Sequence, residues 1–251
     1  MKRIWMVVWL CILLAGCGKQ EPVRTAPPAE TPAAEETAAA TLPPAEPPTE
    51  VPTLEPTEEP TAEPTEPPED NDLVRVRDFI PDIREELAYA GPDNFTGQQI
   101  YDFYNAYLRY GTVKKLAAVC EELKQQGLGI LIWDGFRPVA AQAALWEICP
   151  DPAYVSHPVT GTRAHCRGNA VDLTLVDLET GEKLPMPTGF DDFSALADRD
   201  YADCDPVAAE NARLLEEIMK KHGFEPYRAE WWHFTDTDAY PVEEEFYPPV
   251  G

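Results

Sequence analysis

The chain changes composition sharply near residue 72, and this change limits which part of it can fold. Fourteen of the 27 prolines lie in residues 18–72, within repeated Pro-Thr-Glu and Glu-Pro-Pro units, and this segment contains no aromatic residue. Such a segment cannot bury enough apolar surface to offset the entropy of ordering, so we predict that it forms an extended, disordered linker. The remaining residues, 73–251, suit one domain with a sizeable core.

Residues 1–16 have the features of a secretory signal peptide. Two basic residues precede a short apolar run, residues 4–14, which is too short to form a lasting transmembrane helix. The sequence then reads Leu14-Ala15-Gly16-Cys17, which resembles the bacterial lipobox and implies cleavage before Cys17 and lipidation of this cysteine. The alternative is an ordinary signal peptide in which the cysteine is incidental.

A lipidated Cys17 would anchor the protein in a membrane, because two or more acyl chains bind a bilayer firmly. We therefore expect an exported lipoprotein on the outer face of the bacterial cell membrane. Residues 17–72 would act as a tether that holds the domain away from this surface, since proline stiffens the chain and glutamates repel one another.

Much of the negative charge of the chain belongs to this tether. The net charge is −25, and residues 18–72 contain 14 acidic and two basic residues. We interpret the acidic run as a solvated segment rather than as a site for a basic partner. The sequence has no basic patch of the kind that binds nucleic acid, so we expect no nucleic-acid partner.

Hydrophobic spacing after residue 72 indicates helices and short strands. Apolar residues at helical spacing predict helices over residues 98–110, 113–126, 139–148 and 206–222. An apolar run predicts a buried strand over residues 130–133, and alternation over 170–175 predicts a strand in which Asp172 and Thr174 share one face. Helices packed on a small, largely antiparallel sheet make an α+β domain.

The predicted domain has four cysteines that could be paired or free: Cys120, Cys149, Cys166 and Cys204. An exported protein can form disulfides, but four cysteines allow three connectivities and the spacing does not choose between them.

Two histidines and an aspartate of the domain form a candidate zinc site. His165 lies seven residues before Asp172, and a turn followed by a strand can bring both side chains to one metal. His233 supplies a second imidazole near the C-terminus. Two imidazoles and one carboxylate leave an open position on a single zinc ion, as a hydrolytic site requires. We expect one zinc per chain, and we interpret His157 and His222 as surface residues.

Glu230 precedes His233 by three residues, and a regular strand would direct these two side chains to opposite faces. We therefore expect a turn or bulge at Trp231 and Trp232. With such a turn, Glu230 would lie close to the metal without ligating it, in the position of a general base. We expect the two tryptophans to wall the cleft and exclude water.

Arg137 follows the predicted buried strand and precedes a proline, where the backbone is rigid. Its guanidinium could stabilise the oxyanion that forms when water attacks a peptide carbonyl. The alternative is a structural ion pair with Asp134 or another acid.

Five segments carry these residues in a recognisable order: Tyr89 with Asp93-Asn94-Phe95-Thr96-Gly97, Trp133-Asp134-Gly135-Phe136-Arg137-Pro138, His165-x-x-Gly168-x-Ala170-x-Asp172, Phe190-Asp191 and Glu230-Trp231-Trp232-His233. Together they resemble the zinc D-alanyl-D-alanine dipeptidases, the family that includes the vancomycin-resistance dipeptidase. The resemblance spans about residues 80–251 and implies a single zinc peptidase domain over residues 73–251.

The resemblance also implies roles for individual residues. It assigns His233 to zinc and Glu230 to general-base catalysis, and it implies that Tyr89 and Asp191 recognise the free amino terminus of the substrate. One position departs from the family, which usually has a serine two residues before its first histidine, where a hydroxyl contributes to substrate binding. Here this position is Arg163, which could meet a substrate carboxylate or point to solvent.

The favoured function is therefore zinc-dependent hydrolysis of D-Ala-D-Ala, or a closely related cell-wall dipeptide. A D,D-carboxypeptidase or peptidoglycan endopeptidase acting on stem peptides is the nearest alternative, because an exported domain meets wall peptides whereas free D-Ala-D-Ala is made in the cytoplasm. Tyr89 and Asp191 favour a substrate with a free amino end. A third hypothesis, an inactive cell-wall-binding lipoprotein, is disfavoured because a pure binder needs no general base such as Glu230.

Overall fold

The computed structural model describes residues 66–250. The predicted signal peptide, Cys17 and residues 18–65 of the predicted linker lie outside the described residues. Within the described range, no helix combines the length and the apolar character needed to cross a membrane.

The described part of the chain contains four α-helices and seven β-strands, joined by loops and short 3-10 turns. The helices are α1 (Val76–Phe79), α2 (Tyr110–Lys124), α3 (Val139–Ile148) and α4 (Pro206–Lys221). The strands are β1 (Leu73–Arg75), β2 (Arg84–Glu85), β3 (Tyr107–Arg109), β4 (Leu128–Asp134), β5 (Ala170–Asp177), β6 (Phe224–Pro226) and β7 (His233–Asp236).

Five strands form the central sheet in the order β2-β4-β5-β7-β6, and β1 pairs with β3 in a separate two-stranded sheet. The pairing of β2 with β4 is parallel, whereas the other three pairings of the central sheet are antiparallel. Helices α2 and α4 contact each other and the strands of this sheet. The prediction of an α+β domain with a small, largely antiparallel sheet is confirmed.

The two strands predicted from the sequence are β4 and β5, two of the three interior strands of the central sheet. Both are longer than predicted, and nearly all of their residues are buried. Asp172 and Thr174 are 3% and 1% exposed. The face of β5 that carries these polar residues is therefore covered by the protein, and this strand can hold a functional carboxylate away from bulk water.

The helix predicted over residues 98–110 is wrong. Residues 98–106 contain no helical turn, and β3 follows them. Tyr101 and Phe103 are each 1% exposed whereas Tyr104 is 55% exposed, so burial alternates with the period of an extended chain. Of the aromatic side chains that suggested a helical face, Phe103 is buried against the core, whereas Tyr104 is exposed.

The other three predicted helices are confirmed, with small changes of boundary. Helix α2 begins three residues before its predicted start, and α3 has the predicted bounds. The Asp205 carboxylate caps α4 by accepting hydrogen bonds from the N–H groups of Val207 and Ala208. After α4, Gly223 has a φ of +88°, the left-handed conformation that favours glycine where a helix ends.

Residues just before position 73 contact the domain. The Asp70 carboxylate pairs with Lys114 at 2.6 Å, and the Asp72 carbonyl accepts the N–H of Tyr110 at 2.8 Å. Folded structure therefore begins a few residues before the predicted end of the linker.

The four cysteines of the domain are free thiols. Burial raises the pKa of the Cys120 thiol to about 12 and that of the Cys166 thiol to about 11. Both side chains therefore stay protonated at neutral pH. An uncharged thiol packs like a small apolar side chain, which agrees with a structural role for these two cysteines in the core.

Candidate metal centre

Strand pairing brings two of the predicted zinc ligands together. In the antiparallel pairing of β5 with β7, Asp172 lies directly opposite His233. On the other side of β5, Asp134 at the end of β4 lies opposite Asp172, after a shift of register that begins at Ile132. Such irregularities redirect side chains at the end of a strand. Three neighbouring strands thus deliver polar groups to one point of the sheet.

The third predicted ligand, His165, is held by a short turn before β5. The turn covers His165–Arg167 and ends at Gly168, whose φ of +73° is a left-handed conformation that favours glycine. The Nδ1–H of His165 donates to the carbonyl oxygen of Gly135 at 2.8 Å, because a carbonyl can only accept. This contact fixes the tautomer and leaves the Nε2 lone pair for the metal site.

The three side chains present their ligand atoms at the spacing that a zinc ion requires. His165 Nε2 lies 3.2 Å from His233 Nδ1 and 3.3 Å from Asp172 Oδ2, and His233 Nδ1 lies 2.9 Å from Asp172 Oδ1. A tetrahedral zinc ion with bonds of 2.0–2.1 Å holds neighbouring ligand atoms roughly 3.3 Å apart. Among residues 66–250, this is the one cluster of metal-binding side chains that converges in this way. The residues present therefore fit zinc.

The charges within the cluster favour a positive charge at its centre, because the Asp172 carboxylate stays ionised. Burial alone would raise the pKa of Asp172, but the two imidazoles hold it well below its usual range. Burial lowers the pKa of His165, whereas the carboxylates of Asp172 and Asp134 raise it, and the net change is an increase. On the outer side of the other imidazole, the Thr235 hydroxyl lies 3.2 Å from His233 Nε2 and helps to orient the ring.

Glu230 lies next to the ligands without joining them. The N–H of His233 donates to the Glu230 carbonyl at 3.3 Å, so the chain makes the turn expected at this point. The turn brings Glu230 Oε2 to 3.8 Å from His233 Nδ1. Burial raises the pKa of Glu230 to about 7, although the neighbouring imidazole lowers it. A carboxyl group with a pKa near neutrality can accept and return a proton.

The two tryptophans of this turn do not line the cleft, and the prediction that they wall it is wrong. Trp231 and Trp232 are each 1% exposed. Trp231 packs edge-on against Trp133 and donates its indole N–H to Thr188 Oγ1 at 2.9 Å, while Trp232 packs against Phe190. Their large apolar surfaces belong to the hydrophobic core, where they support the turn that carries Glu230.

Arg137 forms a buried ion pair and also lines the cleft. Its Nε and Nη2 donate to Asp134 Oδ2 at 3.1 and 2.6 Å, and its Nη1 donates to Gln142 Oε1 at 3.0 Å. The ion pair considered as an alternative role for Arg137 is therefore present. Burial would lower the pKa of Arg137, but Asp134, Tyr101 and Tyr89 raise it well above its ordinary value. The guanidinium stays charged.

Tyr89 and Asp191 form a hydrogen-bonded pair in the same cleft. The Tyr89 hydroxyl donates to Asp191 Oδ2 at 2.8 Å. Burial raises the pKa of Asp191 to about 7, although the hydrogen bond from Tyr89 lowers it. Asp191 also has a φ of +55°, which is uncommon for a residue other than glycine. A buried carboxylate of this kind is stabilised by an incoming cation.

One cavity of about 420 Å³ joins these groups. Its lining includes the three ligands together with Glu230, Arg137, Tyr89 and Asp191. The loop after α3 supplies much of the remaining lining, including His157 and Arg163. His157, interpreted from sequence as a surface residue, is thus half-buried in the cavity wall, whereas His222 pairs with Glu122 at 2.7 Å away from it.

Two residues that support the site were not recognised from the sequence. The Tyr101 hydroxyl donates to Asp134 Oδ1 at 2.8 Å, and Gln142 links Arg137 to the Ser156 carbonyl, to which its Nε2 donates at 2.7 Å. Tyr101 was missed because residues 98–110 were wrongly predicted to form a helix. Gln142 had a usable signal, because it is the polar residue in an otherwise apolar stretch of α3.

Comparison with known proteins agrees with this geometry. The family model of M15 peptidases, described as D-ala-D-ala dipeptidase, matches residues 69–248. A D-alanyl-D-alanine dipeptidase of Escherichia coli (strain K12) is 39% identical over 173 residues, which cover 68% of this chain and 89% of the relative. Relatives of the same name from Enterococcus faecium and Streptomyces coelicolor are 32% and 34% identical, over 63% and 65% of this chain and 89% and 91% of their own length. The chain therefore belongs to the M15 peptidase family of D-Ala-D-Ala dipeptidases.

Proposed function

We propose that this enzyme hydrolyses the dipeptide D-Ala-D-Ala in cell-wall peptide metabolism, with one zinc ion held by His165, Asp172 and His233. The observation that carries the proposal is the convergence of the three ligand atoms in a cavity that also contains Glu230 and the Tyr89–Asp191 pair. When bound, zinc acts as a Lewis acid that polarises the peptide carbonyl and lowers the pKa of a water molecule. The relatives named D-alanyl-D-alanine dipeptidases support this choice of substrate.

Glu230 is the general base in this proposal. It lies beside His233 but outside the ligand cluster, so its carboxylate is free to take a proton from the attacking water. It then returns this proton to the amine that leaves as the peptide bond breaks. The turn over Trp231 and Trp232 holds the carboxylate in place, because both indoles are fixed in the core.

Arg137 stabilises the negative charge that develops on the carbonyl oxygen. Its charge is held in one orientation by Asp134 and Gln142, so little reorganisation is needed when the oxyanion forms. An arginine offers five N–H donors, of which three are used in these contacts. The remaining two are available to the substrate.

Asp191 and Tyr89 recognise the ammonium group of the substrate. A buried carboxylate that already accepts one hydrogen bond gains a counter-ion when a free amino terminus enters. This preference separates a dipeptidase from a carboxypeptidase, because the corresponding nitrogen of a stem peptide is an uncharged amide.

Zinc content and product release test the proposal together. The wild-type domain should contain one zinc ion and release D-alanine from D-Ala-D-Ala, whereas His233→Ala should lack zinc and activity. Glu230→Gln should keep zinc and lose about 10²–10⁴-fold in turnover. Full zinc occupancy in His233→Ala would contradict the assignment of the zinc ligand, and near-normal turnover in Glu230→Gln would contradict that of the general base. The choice of substrate would be wrong if the enzyme cleaved a pentapeptide stem or N-acetylated D-Ala-D-Ala faster than the free dipeptide.

We also propose that the enzyme is exported and anchored to the outer face of the cell membrane through a lipid on Cys17. The support is the sequence Leu14-Ala15-Gly16-Cys17 and the acidic, proline-rich tether that follows it. Cys17→Ser should release the protein from the membrane fraction or leave the signal peptide uncleaved. An unmodified mature N-terminus at another residue, found by mass spectrometry, would overturn the assignment.

A further inference from the structure

A second arginine lines the cavity, and most of the hydrogen-bonding capacity of its guanidinium is unused. Arg163 lines the same cavity as the zinc ligands, and its side chain is 22% exposed. Within the described part of the chain its guanidinium makes one ion pair, from Nη1 to Glu244 at 3.4 Å, and its buried Nε has no hydrogen-bond partner. Nη1 and Nη2 of an arginine carry four N–H groups, so three of those of Arg163 remain for a ligand.

The two arginines of the cavity differ in how their charges are balanced. Arg137 pairs at 2.6 Å with Asp134, a carboxylate that is fully buried. The partner of Arg163 is more distant and is 61% exposed, so water and salt screen this pair. Arg163 is therefore the cation of the cavity that can exchange its present partner for a ligand carboxylate at low cost.

The backbone also holds Arg163 in an unusual conformation. Its φ is +49°, in the left-handed region, where residues other than glycine are disfavoured by about 1 kcal/mol or more. Its N–H donates to Ser156 Oγ at 3.4 Å, which ties it to the other end of the same loop. Conformations of this kind persist where the surrounding structure enforces them, and they concentrate at sites that bind ligands.

We propose that Arg163 binds the C-terminal carboxylate of the substrate and sets a preference for peptides that end in a free carboxylate. The inference rests on the proposed function, and it adds a binding residue for the carboxylate end of the dipeptide to those already proposed for the ammonium end. Asp191 would hold the ammonium group and Arg163 the carboxylate, so that a zwitterion spans the cavity. A guanidinium can bind a carboxylate through two parallel hydrogen bonds, which also orients the peptide. At this position, where the family usually has a neutral serine, the chain carries a charge.

Equilibrium binding tests this assignment without turnover. In zinc-loaded Glu230→Gln protein, D-Ala-D-Ala and its C-terminal amide would be titrated by calorimetry. We expect the acid to bind more tightly than the amide. Adding Arg163→Ala should weaken binding of the acid about 10- to 100-fold, as expected for hydrogen bonds to a charged group, and change binding of the amide much less. Zinc content must be equal in all variants, which shows that the site is intact.

Glu244→Gln is the matched control, because it removes the present partner of Arg163 and leaves the guanidinium in place. It should retain the preference for the acid. The proposal would be overturned if Arg163→Ala left the acid unaffected, if it weakened acid and amide equally, or if Glu244→Gln reproduced its effect. Wild-type protein that shows the acid preference but releases no D-alanine from D-Ala-D-Ala would refute the proposed function and leave the role of Arg163 standing.

Discussion

Replacement of Asp134 by asparagine should destabilise the domain strongly. Asp134 is 0% exposed, and its Oδ2 accepts hydrogen bonds from Nε and Nη2 of Arg137 at 3.1 and 2.6 Å. Asparagine has nearly the same shape but no charge, and it leaves the guanidinium buried without its counter-ion. Removal of one partner of a buried ion pair costs about 3–5 kcal/mol, and we expect a loss in this range.

A second ion pair of similar length supplies the control. Lys124 and Asp82 are 2.7 Å apart, but their side chains are 54% and 70% exposed. Water solvates the remaining charge after either partner is changed, so Asp82→Asn should cost less than about 1 kcal/mol of stability. The same chemical substitution at two sites thus isolates burial as the cause of the difference.

Urea unfolding of the zinc-free domain, followed by tryptophan fluorescence, measures both effects from the shift of the midpoint at constant slope. Zinc is removed because a metal bound to the folded state adds its own stabilisation. A double variant, Asp134→Asn with Arg137→Met, should recover much of the loss, since it leaves no unpaired charge. This explanation would be refuted if Asp134→Asn cost less than about 1 kcal/mol, which is the range of an exposed pair. It would also be refuted if the double variant recovered none of the loss.

Three further predictions concern the core and the turn before β5. Gly168→Ala should lower the melting temperature, because φ is +73° and the added Cβ would lie 2.5 Å from a leucine side chain. Gly91→Ala is the control and should have little effect, because its Cβ would have no atom within 4 Å. Equal melting temperatures of the two variants would contradict this prediction. Cys120 should resist iodoacetamide in the folded domain at mildly alkaline pH, because burial raises its pKa to about 12 and the thiolate forms only as the pH approaches that value. Rapid alkylation of Cys120, detected by mass spectrometry, would count against this prediction. Trp231→Ala should lower the free energy of unfolding by about 3–5 kcal/mol through the cavity it leaves, and a much smaller loss in urea unfolding would show that the indole is not packed in the core.

Two of the three zinc ligands have a local signal in the sequence. His165 and Asp172 lie within one turn and one strand, and the alternation of β5 already placed the carboxylate on a defined face. The separation of Glu230 from His233 likewise required a turn, and a turn is present. His233 is distant from His165 and Asp172 in sequence, and the resemblance to the zinc dipeptidases, rather than local geometry, joined it to them and gave Glu230 its role.

Tertiary packing decided the features that the sequence did not predict. The spacing of Ile100, Phe103 and Tyr104 suits one face of a helix. Contact with the core instead selected an extended chain, in which Tyr101 and Phe103 are buried and Tyr104 is exposed. For Trp231 and Trp232, hydrophobicity indicated burial but could not distinguish the wall of a cleft from the core behind it. That distinction depends on Trp133 and Phe190, which are distant in sequence.

The two roles considered for Arg137, catalytic and structural, are compatible. Asp134 fixes the guanidinium and balances its charge, which suits a group that must meet a transient oxyanion without first reorganising. A stable substrate carboxylate needs a different partner, namely a cation whose present ion pair is weak and easily exchanged. Arg163, paired with an exposed glutamate at 3.4 Å, has that property. The cavity therefore contains two arginines suited to two kinds of negative charge, one that develops during the reaction and one that enters with the substrate.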